Sequence, residues 1–208
     1  MIPSIANDAN TIPSIANDGN TWSAPLETDR VLLRPIDPSM YEDLYRIAVD
    51  PGVMFRWRNR GIPPPPEEFL QSIRSDALAQ FAVLGKSTLE VCGQVLAYGA
   101  DFRHSRCSIA AALDSEAVGK GLGIEASVLF VDFVFKTWPF HKVLFEIPEF
   151  NIEQFRTIAD RYLQLETVMP NQQYLAGHYH DVRVCSISRK NWPPRRMGRR
   201  SQPVGDQS

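Results

Sequence analysis

Three glycines occupy alternate positions in the segment AVGKGLGIEA, residues 117–126, immediately before a long apolar run. Because Gly119, Gly121 and Gly123 have no side chains, backbone N–H groups around them can approach a ligand closely. A helix that begins behind them would add a dipole that favours negative charge at its N-terminus. This combination is typical of a phosphate site, and a simple tight turn is the alternative.

The segment differs from two common phosphate-binding motifs. The dinucleotide fingerprint requires a glycine at position 124, where Ile124 stands. The sequence LGKS at residues 84–87 ends like a P-loop but lacks the leading glycine, because position 80 is Gln80. The glycine segment must therefore be interpreted from the elements that flank it.

Candidate acid–base groups follow in the C-terminal half. Glu146 lies in the predicted strand KVLFEIPEF, where apolar neighbours could desolvate it and make it a base, although a carboxylate at a sheet edge in solvent is equally consistent. His141 precedes that strand. His178 and His180, in GHYHD, would share one face of an extended chain, but no third metal ligand is evident and we expect a polar turn. We predict no metal site.

The composition predicts one domain of an ordinary globular type, since the 208 residues are 44% hydrophobic. The net charge of −2 predicts no general attraction to nucleic acid or to a membrane surface. The odd cysteine count, Cys92, Cys107 and Cys185, favours free thiols and a cytoplasmic location. The apolar run SVLFVDFVF contains Asp132 and is shorter than a membrane span, so it predicts a buried helix.

The two ends of the chain are predicted to lie outside this domain. Residues 2–11 return almost unchanged as residues 12–21, and their Pro, Asn, Asp and Ser content favours turns, so we expect residues 1–25 to be a flexible leader without a secretory signal. Residues 193–208 are rich in arginine and poor in apolar residues, which predicts a disordered basic tail. The domain would then span residues 26–192.

The hydrophobic periodicity alternates between that of strands and that of helices. It predicts strands at 30–36, 79–85, 90–102, 107–114, 142–150 and 181–189, and helices at 38–50, 63–76, 123–137 and 151–163. The strands between residues 79 and 114 are joined by short polar turns, which favours an antiparallel meander. The predicted fold class is α/β or α+β, with one sheet and about four helices.

The order of these parts resembles the GNAT superfamily of N-acetyltransferases, and most closely its ribosomal-protein (Rim-type) branch. LETDRVLLRPI at residues 26–36 matches the opening LxTxRLxLRP of that branch, and GKGLGIEA at residues 119–126 matches its loop GKGxGTEA. Asn151 matches an asparagine at a strand end, and Asp181, VCSISR and Trp192 match the close of the domain. The resemblance implies a mixed, mostly antiparallel central sheet.

The resemblance also implies that the chain binds acetyl-CoA or another acyl-CoA as acyl donor. Ala111, Ala112 and Leu113 would pair with the pantetheine arm through the main chain, and Asn151 would lie near the thioester. The diphosphate would be held by a loop formed by Val118, Gly119, Lys120, Gly121, Leu122 and Gly123. Such a grip along the donor would position its carbonyl for attack by an amine.

Among the departures from the family pattern, two positions lose a polar side chain, and these losses leave two functions open. The usual Gln or Arg of the loop falls on Val118, and the usual Tyr of the closing strand falls on Cys185. One function is N-acyl transfer to a primary amine of a small molecule or polypeptide N-terminus by direct attack, with Glu146, Cys185 and His141 as candidate catalytic residues. The other is a non-catalytic module that binds acyl-CoA or an acyl-carrier protein. A structural or interaction protein is a weaker third possibility.

The acceptor is less well defined by the sequence. Residues 53–66, VMFRWRNRGIPPPP, carry arginines and aromatic residues where the family commonly builds its acceptor pocket. They could receive an acidic or aromatic acceptor or the arm of a carrier protein, and a solvated loop is the alternative. A homodimer also stays open.

Overall fold

The computed structural model describes residues 26–54, 62–75, 77–155 and 162–192. The predicted leader, the predicted tail and the arginines of segment 55–61 lie outside the described residues. The strands are β1 (Val31–Pro35), β2 (Ala79–Gly85), β3 (Val91–Asp101), β4 (Arg106–Leu113), β5 (Lys142–Pro148), β6 (Gln164–Leu175) and β7 (His178–Ser188). The longer helices are α1 (Tyr41–Val49), α2 (Pro51–Met54), α3 (Pro66–Ser75) and α4 (Leu122–Thr137).

All seven strands form one sheet in the order β1-β2-β3-β4-β5-β7-β6. Neighbouring strands are antiparallel except β4 and β5, which are parallel. A parallel pair needs a crossover connection, and here the glycine loop and α4 provide it. The predicted mixed, mostly antiparallel sheet is thus confirmed, and so is the meander of β2, β3 and β4.

Helix α4 packs on one face of the sheet and forms the centre of the larger core. Its side chains are apolar almost all around the helix, and Phe130, Val131 and Val134 are fully buried against strand residues such as Val95 and Val143. The predicted buried helix at residues 123–137 is confirmed, with one further residue at its N-terminus. At its C-terminal end, Arg189 donates to the backbone oxygens of Phe135, Trp138 and Phe140.

Helices α1 and α3 cover the other face of the sheet. Met40, Leu44 and Ala48 pack against Ala82 and Leu84 of β2 in a second, smaller core. These three residues lie on the apolar stripe predicted for the first helix, and Ile47, also on that stripe, is buried against a neighbouring cluster. Adjacent Val83 belongs to the α4 side, as expected from the alternation of side chains along a strand.

The C-terminal third differs from the prediction. Strand β6 was missed, because ten of its twelve residues are exposed or polar and carry no apolar alternation. The polar turn expected around His178 and His180 is wrong, since both belong to β7 and the turn lies at Ala176 and Gly177 instead. Of the helix predicted at residues 151–163, residues 152–155 and 162 are helical, and 156–161 lie outside the described residues. Among the described helices, none is both long and apolar enough to span a membrane.

Candidate active site

The parallel strands β4 and β5 separate from each other halfway along their length. They pair only at Arg106 with Lys142, Cys107 with Val143, and Ser108 with Leu144. Beyond these positions β4 continues to Leu113 beside β3, and β5 continues to Pro148 beside β7. Both strands are described over their whole length, and the separation opens a cleft of about 1120 Å³ between them.

The glycine segment closes one end of this cleft, and Asp114 holds the turn that leads into it. Asp114 follows β4, and its Oδ1 accepts the backbone N–H of Glu116 at 3.0 Å, while its Oδ2 accepts Nη1 of Arg46 at 2.9 Å. The N–H of Glu116 first, and the Arg46 guanidinium second, lower the pKa of this carboxyl. The single 3₁₀ turn Ser115–Ala117 then leads into the loop.

Gly119 and Gly121 have φ angles of 80° and 78°, in the left-handed region that favours glycine. Gly121 caps α4, and the first bond of the helix joins the N–H of Glu125 to the Gly121 oxygen at 3.1 Å. The N–H groups of residues 122–124 therefore have no acceptor within the helix. Gly119, Gly121, Gly123 and Ile124 line the cleft, so this end offers backbone donors and a helix N-terminus to an anion.

The third glycine has a different physical role. A Cβ at Gly123 would lie 3.1 Å from Cδ1 of Leu113, so its absence lets α4 pack closely on the end of β4. Val118 is 44% exposed and Lys120 is exposed at the same loop, so the loop side chains stay accessible. A positive φ thus favours glycine at two of these positions, and close helix packing favours it at the third, which also lines the cleft.

The free side of β4 forms one wall of the cleft. Ala111 and Leu113 line it, whereas the Ala112 side chain points away and packs with Ile47 and Val53. Residues 109–113 pair with β3 on one side only, so backbone N–H and C=O groups on their other side face the gap. Such an edge can pair with an extended chain of amide groups.

Glu146 and Asn151 lie at the opposite wall. Glu146 is on the half of β5 that has separated from β4, lines the cleft and is exposed, so the apolar enclosure considered from sequence is absent and the carboxylate is accessible at the cleft wall. Asn151 closes the 3₁₀ turn Glu149–Asn151 that follows β5, and it also lines the cleft. The structure therefore brings these two residues together with the loop and the edge of β4.

Cys185 and His141 are not brought to Glu146. Cys185 lies opposite Phe145 in the β5–β7 pair, so its side chain is on the other face of the sheet from Glu146; it is 8% exposed, and burial raises the pKa of its thiol. His141 precedes the paired end of β5, five residues or about 17 Å from Glu146. Neither residue lines the cleft.

Some cleft residues had no signal in the sequence. Gln172 and Gln173 of β6 line the cleft beside a shift in pairing register between Met169 and Gln173. Within this bulge Asn171 has a φ of 53°, and its N–H donates to Oδ1 of Asp181 at 2.9 Å. A bulge redirects side chains, which explains how an exposed edge strand reaches the site. Because β6 itself was missed, no pattern could have predicted these two amides.

The histidine pair forms no metal site with its neighbours. His180 Nδ1 lies 2.7 Å from Oε1 of Glu149, and the ring contacts Phe150 edge-on, while His178 is exposed at the start of β7. Over the part of the chain that the structure describes, no three His, Cys, Asp or Glu side chains are grouped so that they could hold a metal ion.

Comparison with known proteins agrees with this architecture. Residues 30–160 match the family model of the acetyltransferase (GNAT) domain. A chimera of the spermidine N-acetyltransferase SpeG from Vibrio cholerae and hSSAT superimposes with a TM-score of 0.67 at 16% identity, over 78% of this chain and 97% of that one. A GNAT-family acetyltransferase from Bacillus anthracis gives a TM-score of 0.65 at 16% identity, over 77% and 96%.

A third solved structure, a putative acetyltransferase, is 21% identical, with a TM-score of 0.62 over 83% of this chain and 91% of its own. No curated protein sequence matches the chain significantly. The structural similarities establish the fold, and the family model covers more than half of the sequence. The chain therefore belongs to the GNAT acetyltransferase family.

Proposed function

We propose that this protein is an acyl-CoA-dependent N-acyltransferase, with acetyl-CoA as the donor, that acts on a primary amine of a small molecule or a polypeptide N-terminus. The observation that carries the proposal is the separation of β4 from β5, which puts the glycine loop, a free strand edge and Glu146 around one cleft. A long thioester donor needs these three elements in that order along its length.

In this proposal the donor lies along β4. The backbone donors at Gly119, Gly121 and the first turn of α4 bind the diphosphate, with Lys120 adding positive charge nearby. The unpaired side of residues 109–113 holds the amides of the pantetheine arm. The thioester then reaches the part of the cleft that Glu146 and Asn151 line.

The proposed reaction is a direct attack without an acyl-enzyme. The neutral amine forms the new C–N bond at the thioester carbonyl, the C–S bond breaks, and the thiolate of CoA takes up a proton. Glu146 is our candidate for the group that removes the proton from the attacking amine, either directly or through a water molecule. We assign no acid for the thiolate, because the buried Cys185 lies on the other face of the sheet.

The part of the cleft that Glu146 and Asn151 line, the proposed acceptor end, is suited to bind an uncharged or cationic amine. Glu146 and Glu153 provide carboxylates there, and Gln172 and Gln173 provide amides that can both donate and accept. Polyamines such as spermidine, on which the similar solved enzymes act by their names, therefore belong in the acceptor panel. The opening motif LETDRVLLRPI also supports a place in the ribosomal-protein branch, so N-terminal peptides belong there too.

Calorimetric titration with CoA and a thiol-release assay with acetyl-CoA test the proposal. The expected result is saturable binding of CoA and turnover with at least one member of a panel of polyamines, aminoglycosides and peptides. Binding without turnover for any acyl donor would instead support the non-catalytic module, which the apolar Val118 and the buried Cys185 favour. A folded protein that binds no CoA would contradict both functions.

A further inference from the structure

Arg30, in the segment just before β1, contacts the glycine loop across the fold. Its Nε and Nη2 donate to Oε2 of Glu125 at 2.9 and 2.5 Å, and its Nη1 donates to the backbone oxygen of Lys120 at 3.0 Å. A Cβ at Gly121 would lie 3.5 Å from Nη2. The guanidinium therefore lies against the turn that begins α4, and it lines the cleft.

The bond to Lys120 fixes the direction of a backbone donor. The peptide that joins Lys120 to Gly121 is planar and trans, so its C=O and the N–H of Gly121 point in opposite directions. When Arg30 holds the carbonyl on its own side, the N–H of Gly121 is directed away from it. The positive φ of Gly121 makes this orientation accessible, and Arg30 selects it.

The ion pair with Glu125 has an electrostatic consequence at the same place. Glu125 is in the first turn of α4, where a carboxylate stabilises the helix but would also repel an anionic ligand. Its side chain is 19% exposed, so solvent screens it only partly, and both hydrogen bonds to Arg30 are made by one oxygen. Arg30 compensates this negative charge beside the backbone donors.

We propose that Arg30 is a positioning residue of the cleft end formed by the glycine loop and the start of α4, the phosphate end. Arg30 orients the loop through Lys120 and neutralises Glu125, in a loop where Val118 supplies no polar side chain. The inference rests on the proposed function, because it assumes that the loop binds a diphosphate. It predicts that Arg30 affects the affinity for CoA through the phosphate-bearing part of the ligand and leaves the pantetheine arm unaffected.

The test compares Arg30→Met, Arg30→Met with Glu125→Gln, and the matched control Lys86→Met. Lys86 is a neighbouring cation that pairs with Glu27 at 3.2 Å and does not line the cleft. Calorimetry gives the Kd for CoA, and NMR shifts give the weaker Kd for pantetheine. We expect Arg30→Met to raise the Kd for CoA roughly tenfold or more, since the loop loses the charge-assisted bonds that orient it and the Glu125 carboxylate is left uncompensated. The Kd for pantetheine should stay within about twofold.

The double variant should recover part of the lost affinity, because it also removes the unpaired carboxylate, and Lys86→Met should bind CoA like the wild type. If Arg30→Met does not fold, Arg30→Lys, which keeps the charge, should show an intermediate Kd for CoA. An unchanged Kd for CoA in these Arg30 variants, or equal losses for CoA and pantetheine, would overturn the inference. A wild type that binds no CoA would overturn the proposed function with it.

Discussion

The two ends of the cleft are constructed in different ways. The end that we propose binds the diphosphate is one continuous segment, residues 114–125, whose three glycines and helix N-terminus line the cleft. The opposite end, the proposed acceptor end, combines side chains from β5, β6, β7, the turn after β5 and the helical residues 152–155: Glu146, Asn151, Glu153, Gln172, Gln173 and Val182. Backbone groups of one segment form the first end, and side chains from several elements form the second.

This difference separates a common function from a specific one. Backbone N–H groups are the same in every sequence that adopts the loop conformation, so they suit a ligand part that many enzymes share. Side chains such as Gln172 and Gln173 change with each substitution, so under the proposed function we expect selectivity for the amine to depend on this end of the cleft. Variants at the phosphate end should therefore mainly change the affinity for CoA, and variants at the acceptor end should mainly change turnover.

The largest effect is expected at the acceptor end. Glu146→Gln keeps the shape of the side chain but removes the basic carboxylate, so turnover should fall roughly 10²-fold or more while the Kd for CoA stays nearly unchanged. Thiol release under saturating acetyl-CoA measures the first quantity, and calorimetry the second. Glu149→Gln is the control, because Glu149 is adjacent but does not line the cleft. If turnover survives Glu146→Gln but is lost in Glu149→Gln, the role of the base would be assigned to the Glu149–His180 pair instead.

The next effect distinguishes ligand binding from backbone strain at the phosphate end. Gly121→Val forces a branched side chain into a φ of 78°, which costs about 1–3 kcal/mol and should weaken CoA binding about tenfold or more. Gly177 has a φ of 86° at the tip of the β6–β7 hairpin, away from the cleft, so Gly177→Val carries a similar strain. Both variants should melt at lower temperature, and Gly121→Val alone should lose affinity for CoA. Equal CoA affinities would remove the loop from the binding site.

A smaller effect concerns acid stability at the entry to the loop. The pKa of Asp114 is lowered below its ordinary value of 3.8, so the ionised form stabilises the fold above that value, and this contribution is lost as the pH falls through the folded pKa. It should amount to at most about 1 kcal/mol, because Glu116, whose N–H is the main cause of the shift, is exposed and so is most of Arg46. Urea midpoints at about pH 5 and about pH 3 should fall less in Asp114→Asn than in the wild type. Parallel decreases would show that Asp114 does not contribute.

The smallest catalytic effect is expected at Cys185. Because this thiol and Glu146 lie on opposite faces of the sheet, Cys185→Ala should change turnover by less than about threefold. The cavity that the substitution leaves should cost about 1 kcal/mol of stability. Burial also raises the pKa of Cys107 to about 11, so neither thiol should react readily near neutral pH. A large loss of turnover in Cys185→Ala would restore it as the acid for the leaving thiolate.

The phosphate end was the more predictable of the two because its pattern is local. A glycine conformation, a helix N-terminus and the run SVLFVDFVF depend on residues that are close together in the sequence, and the predicted helix agrees with α4 to within one residue. The strands with an apolar alternation were also found, and β2 agrees at both ends. Strand β6 was missed because an exposed edge strand does not need that alternation.

The sequence by itself determined the glycine loop, helix α4 and the strands with an apolar alternation, because periodicity reports which residues share a side. The tertiary structure alone decided which elements meet. It separated Glu146 from Cys185 by one step of register, moved His141 to the far end of β5, and brought Arg30 to Glu125 across 95 positions of the chain. Partners at such distances are set by packing of the whole sheet, where the divergence of β4 from β5 leaves no trace in either strand's own residues.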